Sequence, residues 1–291
     1  MLTLEKHKAI SKEVNNFMHL IKYGSGSLKI ETKLELQMKN IFKRQASLFW
    51  KMEAKNDWLN KCYLQAQKDL SEIKKMGMSE NPDSTINFIA DLTEEWHDDI
   101  NDDIVLNKVL KDTYISGYNF AGQEALNEFK IKESFKLRGI NYLKVLDERA
   151  NLTSPQINQT SWELVQNTIA DGFWKEGKNP YKVARDLEGL FDETYSGRAE
   201  NIARTETGEI VSEAQFEAYN KMGIPEMEWI AEQGACELCS PLRGQIVKTG
   251  EPFDNGQGWT GLHPLVHPSC RCDVAPVVGK EFVPSNYWTG E

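Results

Sequence analysis

Four of the five cysteines and two of the five histidines fall between positions 236 and 272, as Cys236, Cys239, His263, His267, Cys270 and Cys272. The stretch around them is broken at Gly234, Gly244, Asn255-Gly256 and Gly261 into pieces too short to bury a core of their own. Something other than apolar packing must hold it. Cys236-Glu237-Leu238-Cys239 is a C-x-x-C pair, and two intervening residues let one tight turn bring both thiolates to one ion. Zinc takes four N or S ligands in a tetrahedron, and such clips stabilise small, loop-rich modules.

His267, Cys270 and Cys272 supply the other half of the set, so five candidates compete for four places. We take Cys236 and Cys239 with two or three of His267, Cys270 and Cys272, and leave His263 outside the coordination sphere. Cys270 and Cys272 would face opposite ways on a strand, whereas a loop brings both to the ion. A catalytic zinc needs an open position and a nearby general acid or base, for which Glu237 and His263 are the candidates. A thiolate-rich set points instead to structural Zn2+. Two disulfides are the other use of four cysteines. The segment from Met1 to Lys8 has no apolar run of the secretory kind, which places the chain in a reducing cytoplasm and argues against disulfides. Cys62 stands alone and reads as a buried apolar residue.

The first two-thirds of the chain read as helical. From Ile30 to Met76 there is neither Pro nor Gly, and Leu34, Met38, Ile41, Leu48 and Met52 recur at helical spacing, with Gln45 interrupting. This predicts one long helix or two in series, ended by Gly77 and Asn81-Pro82-Asp83-Ser84. A further helix is expected over 102–130, with weak points at Gly117 or Gly122, and a shorter one through Tyr142 and Val145. Asn151 to Pro155 reads as a polar break and the main boundary. Thr160-Ser161-Trp162-Glu163 matches a capping box that starts a helix near Ser161. Asn179-Pro180 starts another, and Gly223 with Pro225 ends a third that runs from Gly197 to Met222. Met227, Trp229 and Ala231 alternate as in a strand. The expected fold class is mainly α with a small α+β C-terminal zinc-stabilised module. The expected division is 1–155, a helical N-terminal region, and 156–291, with the module at 226–278.

Several features have a plain reading. Lys39, Lys43, Lys51 and Lys55 could follow a phosphate backbone, but a solvated helix face explains them equally. The acidic group Glu94, Glu95, Asp98, Asp99, Asp102 and Asp103 has no calcium-loop spacing and reads as solvated surface. Arg204 and Glu206 are two apart on a helix and share no face. We expect Glu206 to pair with Arg271, and Trp288 to dock on a neighbour.

Ala203-Arg204-Thr205-Glu206-Thr207, the helix end at Gly223, the Trp229 strand, the Cys236/Cys239 pair, Gly244 and His267-Pro268-Ser269-Cys270-Arg271-Cys272 occur in that order. Their combination resembles the phage head morphogenesis family, the minor head proteins similar to the F protein of phage Mu. The resemblance covers the last third of the chain; the extra His263-Pro264 pair departs from the simplest family pattern. It implies a virion protein in few copies at the capsid interior or portal vertex, made in the host cytoplasm during assembly. Its partners would be portal protein, other capsid components and packaged DNA, with roles in head assembly, packaging or ejection. Some related domains are fused to toxins, and too few residues follow the module here for such a domain.

Two other function classes compete with this one. A zinc-supported nuclease or toxin-like enzyme would use His263 or His267 as general base. A zinc-containing nucleic-acid-binding module would bind with steep salt dependence. The 34 Lys and Arg against 44 Asp and Glu, a net charge of −10, weigh against phosphate contacts as the main source of affinity. No stretch approaches the roughly 20 apolar residues that span a bilayer.

Overall fold

The computed structural model describes residues 4–76, 82–101, 104–231, 234–279, 282–284 and 286–290, with side chains in the first helix from Gly26 onward. Gly77 and Asn81, expected to end a helix, and Asp102 and Asp103 of the acidic group lie outside the described residues. The fold is mainly α with a small C-terminal α+β part. Helices α1 (Leu4–Asn56), α2 (Trp58–Met76), α3 (Pro82–Asn101), α4 (Ile104–Glu128), α5 (Ile140–Ala170), α6 (Pro180–Gly189) and α7 (Tyr195–Lys221) come first. Strands β1 (Glu226–Ile230), β2 (Ile246–Lys248), β3 (Phe253–Asp254), β4 (Thr260–Gly261) and β5 (Asp273–Val277) follow. No helix among the described residues is long and apolar enough to cross a membrane.

The stretch from Ile30 to Met76, free of Pro and Gly, falls in two helices in series. Asp57, at φ 55°, breaks the chain between them. The Glu53 carboxylate accepts from the N–H groups of Trp58 at 2.6 Å and Leu59 at 3.3 Å, which satisfies open donors of the first turn of α2. Gln45 does not interrupt the buried stripe; it belongs to it. Its side chain is buried, its Nε2 donates to Asn158 Oδ1 at 2.8 Å, and its backbone carbonyl accepts from Trp96 Nε1 at 3.0 Å. A buried polar group persists where its partners are present. Lys43, Lys51 and Lys55 are exposed, in keeping with a solvated face.

The expected break at Asn151 to Pro155 is absent, because α5 runs through it with Pro155 inside. The stretch is polar because most of it faces solvent, with Asn151, Leu152 and Pro155 exposed; further along, α5 buries polar side chains that have partners. Asn158 donates to the Ile100 carbonyl at 2.8 Å, and Ser161 accepts from Arg198 Nη1 at 2.7 Å. The capping box is likewise absent: Thr160 Oγ1 donates to the Gln156 carbonyl at 2.9 Å, within the helix. The signals at α6 and α7 hold. Asn179 Oδ1 accepts from Lys182 N at 3.0 Å with Pro180 next in line. At the end of α7, Ile224 N donates to Tyr219 O at 3.1 Å and Gly223 N to Asn220 O at 3.1 Å, around Gly223 at φ 71°.

By contacts the chain forms two compact units. One comprises Leu36–Leu110 and Glu148–Ala199. Its core centres on Phe49, whose ring lies 5.4 Å from Trp96, 5.5 Å from Trp58 and 5.5 Å from Phe191.

The other unit comprises Met1–Glu35, Lys111–Asp147 and Glu200–Glu291. Here Gly117 and Gly122 are contact points rather than weak points of α4. A Cβ at Gly117 would meet Ile210 at 2.4 Å, and one at Gly122 would meet the Phe135 ring at 2.5 Å. Strand β1 is central, antiparallel to β2 and β5, with Trp229 opposite Val274. Both faces of β1 are covered, which removes the alternation of a half-exposed strand, and Glu228 and Ile230 are buried beside Met227 and Trp229. Gln215 of α7 donates to the Val274 carbonyl at 3.0 Å and ties helix to sheet. Trp288 docks within this unit, buried against Phe135 and Tyr142 with both ring centroids 4.9 Å away, and not on a neighbour.

Candidate metal centre

Two tight turns of the same construction converge. In the first, Cys239 N donates to Cys236 O at 3.1 Å and Ser240 N to Cys236 O at 2.8 Å. In the second, Cys270 N donates to His267 O at 3.1 Å, so residues 267 and 270 repeat the relation of 236 and 239.

Neighbouring segments fix both turns. The β3–β4 hairpin grips the first: Asn255 Nδ2 donates to Leu238 O at 3.2 Å and Gln257 Nε2 to Glu237 O at 3.4 Å. Asn255 Oδ1 accepts from Gln257 N and Trp259 N at 2.9 and 3.1 Å, which holds the hairpin loop itself. Helix α7 grips the second turn. Ser269 takes φ 62°, and its N–H donates to Thr205 Oγ1 at 3.0 Å while its hydroxyl lies 3.1 Å from Asn201 Oδ1.

The result brings all five expected ligands together. His267 Nε2 lies 3.2 Å from Cys236 Sγ and 3.3 Å from Cys239 Sγ, and Cys239 Sγ lies 3.7 Å from Cys270 Sγ. Cys236, Cys239 and His267 form one triad and Cys239, Cys270 and Cys272 another, each with ligand atoms within 4.8 Å of one another. Such a cluster can hold a metal ion. His267 Nδ1 lies 2.7 Å from the Pro268 carbonyl. Donation there leaves the Nε2 lone pair facing the sulfurs, as a ligating imidazole requires. His263 makes the same local contact with the Pro264 carbonyl at 2.8 Å and belongs to neither triad.

The thiols lie close enough to shift one another's ionisation. Burial pushes Cys239 up to about 12, with the Cys270 sulfur adding to it. The hydrogen bond from Cys272 holds Cys270 down at about 5. The same bond raises Cys272, and burial raises it further. At Cys236 slight burial works against ionisation, but the N–H groups of Cys239 and Leu238 outweigh it and the thiol is lowered. His267 is raised, first by its bond to the Pro268 carbonyl, against partial burial. Four thiols crowded at one point cannot all ionise without a cation among them.

Beside the cluster lies an open cleft of about 410 Å³, lined among others by Thr205 and Glu209 of α7, Trp259 and Thr260 of the hairpin, His263 and His267. Glu237 is exposed on its turn.

The expected pair between Glu206 and Arg271 does not form. Glu206 accepts from Tyr114 OH at 2.6 Å, and Arg271 forks onto Glu31 of α1. Glu31 carried no motif. Its one signal is position, since it precedes Leu34 and Met38 on the buried stripe at helical spacing. Asn255 was visible only as a turn residue and Gln257 carried no signal, and their grip on the Cys236 turn needed the folded chain.

No curated protein and no solved structure matches the chain. Residues 163–275, a stretch that holds the whole ligand cluster, match the family described as Phage Mu protein F like protein, the family that the ordered motifs resemble.

Proposed function

We propose that the chain is a phage minor head (capsid) protein that acts in head assembly at the portal vertex. The observation that carries this is the family match over 163–275, which spans both turns of the ligand cluster. In this reading residues 156–291 are the head-morphogenesis part, clipped at 226–278. The helical region 1–155 meets portal protein, other capsid components or packaged DNA, during packaging or ejection. The protein resides in the virion after passing through the host cytoplasm. Its mechanism is positioning rather than turnover.

The clip is structural Zn2+ held by Cys236, Cys239, His267 and Cys270, with Cys272 beside them. Those four come from two turns of identical spacing. Tetrahedral zinc, with bonds of about 2.3 Å to sulfur and about 2.0 Å to nitrogen, implies ligand separations of about 3.5–3.8 Å. The separations of 3.2, 3.3 and 3.7 Å lie close to that. Bound there, the ion supplies a tie between two loops that have little core of their own.

The test is mass spectrometry of gradient-purified particles and proheads, with this chain counted against portal protein. A few copies per particle support the proposal. Absence from both particles and proheads overturns it.

A further inference from the structure

Arg271 stands between Cys270 and Cys272, and its guanidinium reaches Glu31 on α1. Nη1 lies 2.8 Å from Glu31 Oε2 and Nη2 lies 3.0 Å from Oε1, a two-point fork. Arg204 Nε lies 3.6 Å from Glu31 Oε1, while Arg204 Nη2 lies 3.2 Å from Glu200. The Glu31 side chain is 7% exposed. A carboxylate so buried must be answered by a cation, and the fork comes from the loop of the ligand cluster.

The segment around Glu31 is closely fitted. Leu34 is fully buried, and a Cβ at Gly26 would meet the Phe120 ring of α4 at 2.0 Å. Seating residues 26–35 therefore needs both close packing and a correctly aimed Arg271. The aim of Arg271 depends on the backbone between its two cysteine neighbours.

We propose that metal occupancy and the seating of residues 26–35 are coupled through the Arg271–Glu31 fork. A bound ion fixes the backbone at Cys270, Arg271 then meets Glu31, and residues 26–35 of α1 are held against α4. Arg271 and Glu31 are positioning residues in this scheme, which rests on the metal reading above. Coupling of this kind is reciprocal, so loss of the fork weakens metal binding by the factor with which metal strengthens seating.

The experiment uses the full chain, elemental analysis, a competition titration of zinc against a chromophoric chelator, and amide hydrogen exchange with and without chelation. The wild type should hold one zinc per chain. Chelation should raise exchange across 26–35 by about tenfold, with peptides of α2 unchanged. Glu31→Gln should bind zinc about tenfold more weakly and show raised exchange across 26–35 even when loaded. Arg271→Lys, which keeps the charge and loses the fork, should move both readouts the same way.

A zinc-loaded wild type whose exchange across 26–35 changes by less than about twofold on chelation overturns the coupling and leaves the metal reading standing. So does a folded Glu31→Gln with unaltered zinc affinity. A wild type that holds no zinc overturns both. Should Glu31→Gln fail to fold, the comparison of loaded and chelated wild type decides alone.

Discussion

Cys239 Sγ lies 3.3 Å from His267 Nε2 and 3.7 Å from Cys270 Sγ, which makes it the one ligand atom shared by both triads. Cys239→Ser should therefore abolish stoichiometric zinc binding. With about 2–4 °C of melting temperature per kcal/mol for a chain of this order, loss of a structural tie should lower Tm by roughly 5 °C or more. Cys272→Ser should keep one zinc per chain. Elemental analysis of the two variants beside a thermal scan checks this. A Cys272→Ser protein as zinc-poor as Cys239→Ser would show that the second triad holds the ion.

Cys62 is the control thiol. It is fully buried, and burial pushes it up to about 12 from an ordinary 9.0, with the Glu53 charge adding to the shift. An acid raised in the folded state favours the proton-bound fold. Its contribution is complete below about pH 9 and fades as pH climbs toward 12. Unfolding free energy should therefore fall more steeply across that window in the wild type than in Cys62→Ala. Parallel slopes from urea titrations would exclude this. At pH 8 the same burial should leave Cys62 the last thiol to be alkylated.

Pro155 is exposed and lies inside α5, where it removes one donor from the helical ladder. Pro155→Ala restores that donor and disturbs no packing. It should stabilise the chain by about 1 kcal/mol, after allowing for the greater freedom of the unfolded state. A urea midpoint that drops would mean that residues 151–155 prefer the irregular backbone their composition suggested.

That stretch also shows where sequence and structure part. Periodicity and caps were legible wherever the local chain decides: the serial pair α1 and α2, the Asn179 cap, the Gly223 terminus and the strand at Trp229. They misled where a distant partner decides. Gln45 looks like an interruption until Asn158 accepts from its side chain, and Ser161 looks like a helix start until Arg198 reaches it in mid-helix. The convergence of Cys236, Cys239, His267 and Cys270 was legible because each pair is separated by two residues, which one tight turn brings together. The partner of Arg271 was not, because Glu31 lies 240 residues away and nothing in either neighbourhood encodes that distance.

Tyr114 is fully buried and its hydroxyl donates to Glu206 at 2.6 Å. A hydrogen bond to a charged acceptor contributes about 1.5–3 kcal/mol, so Tyr114→Phe should cost an amount in that range. Exchanging the charges at 206 and 271 should give no rescue, because neither residue is the other's partner. A double-mutant cycle between positions 114 and 206 measures the coupling directly, and additive losses there would exclude it.

Trp288 closes the unit that carries the candidate metal centre. Its ring is buried against Phe135 and Tyr142, with Lys221 Nζ 5.2 Å from the centroid. The backbone beside it is pinned: Lys136 N donates to Thr289 O at 3.0 Å, and Arg138 N and Gly139 N donate to Gly290 O at 2.6 and 2.9 Å. Gly290 sits at φ 100°, where a Cβ would meet the Lys136 carbonyl at 2.1 Å, so no other residue fits without displacing that segment. Trp288→Ala should cost about 3–5 kcal/mol, in the range for a large aromatic removed from a core. Gly290→Ala should destabilise through the backbone alone, with the tryptophan still present. Both should lower Tm while zinc content stays at one per chain, since neither residue belongs to the ligand turns. An unchanged Tm in Trp288→Ala would mean that the tail packs only loosely on Phe135 and Tyr142 in solution.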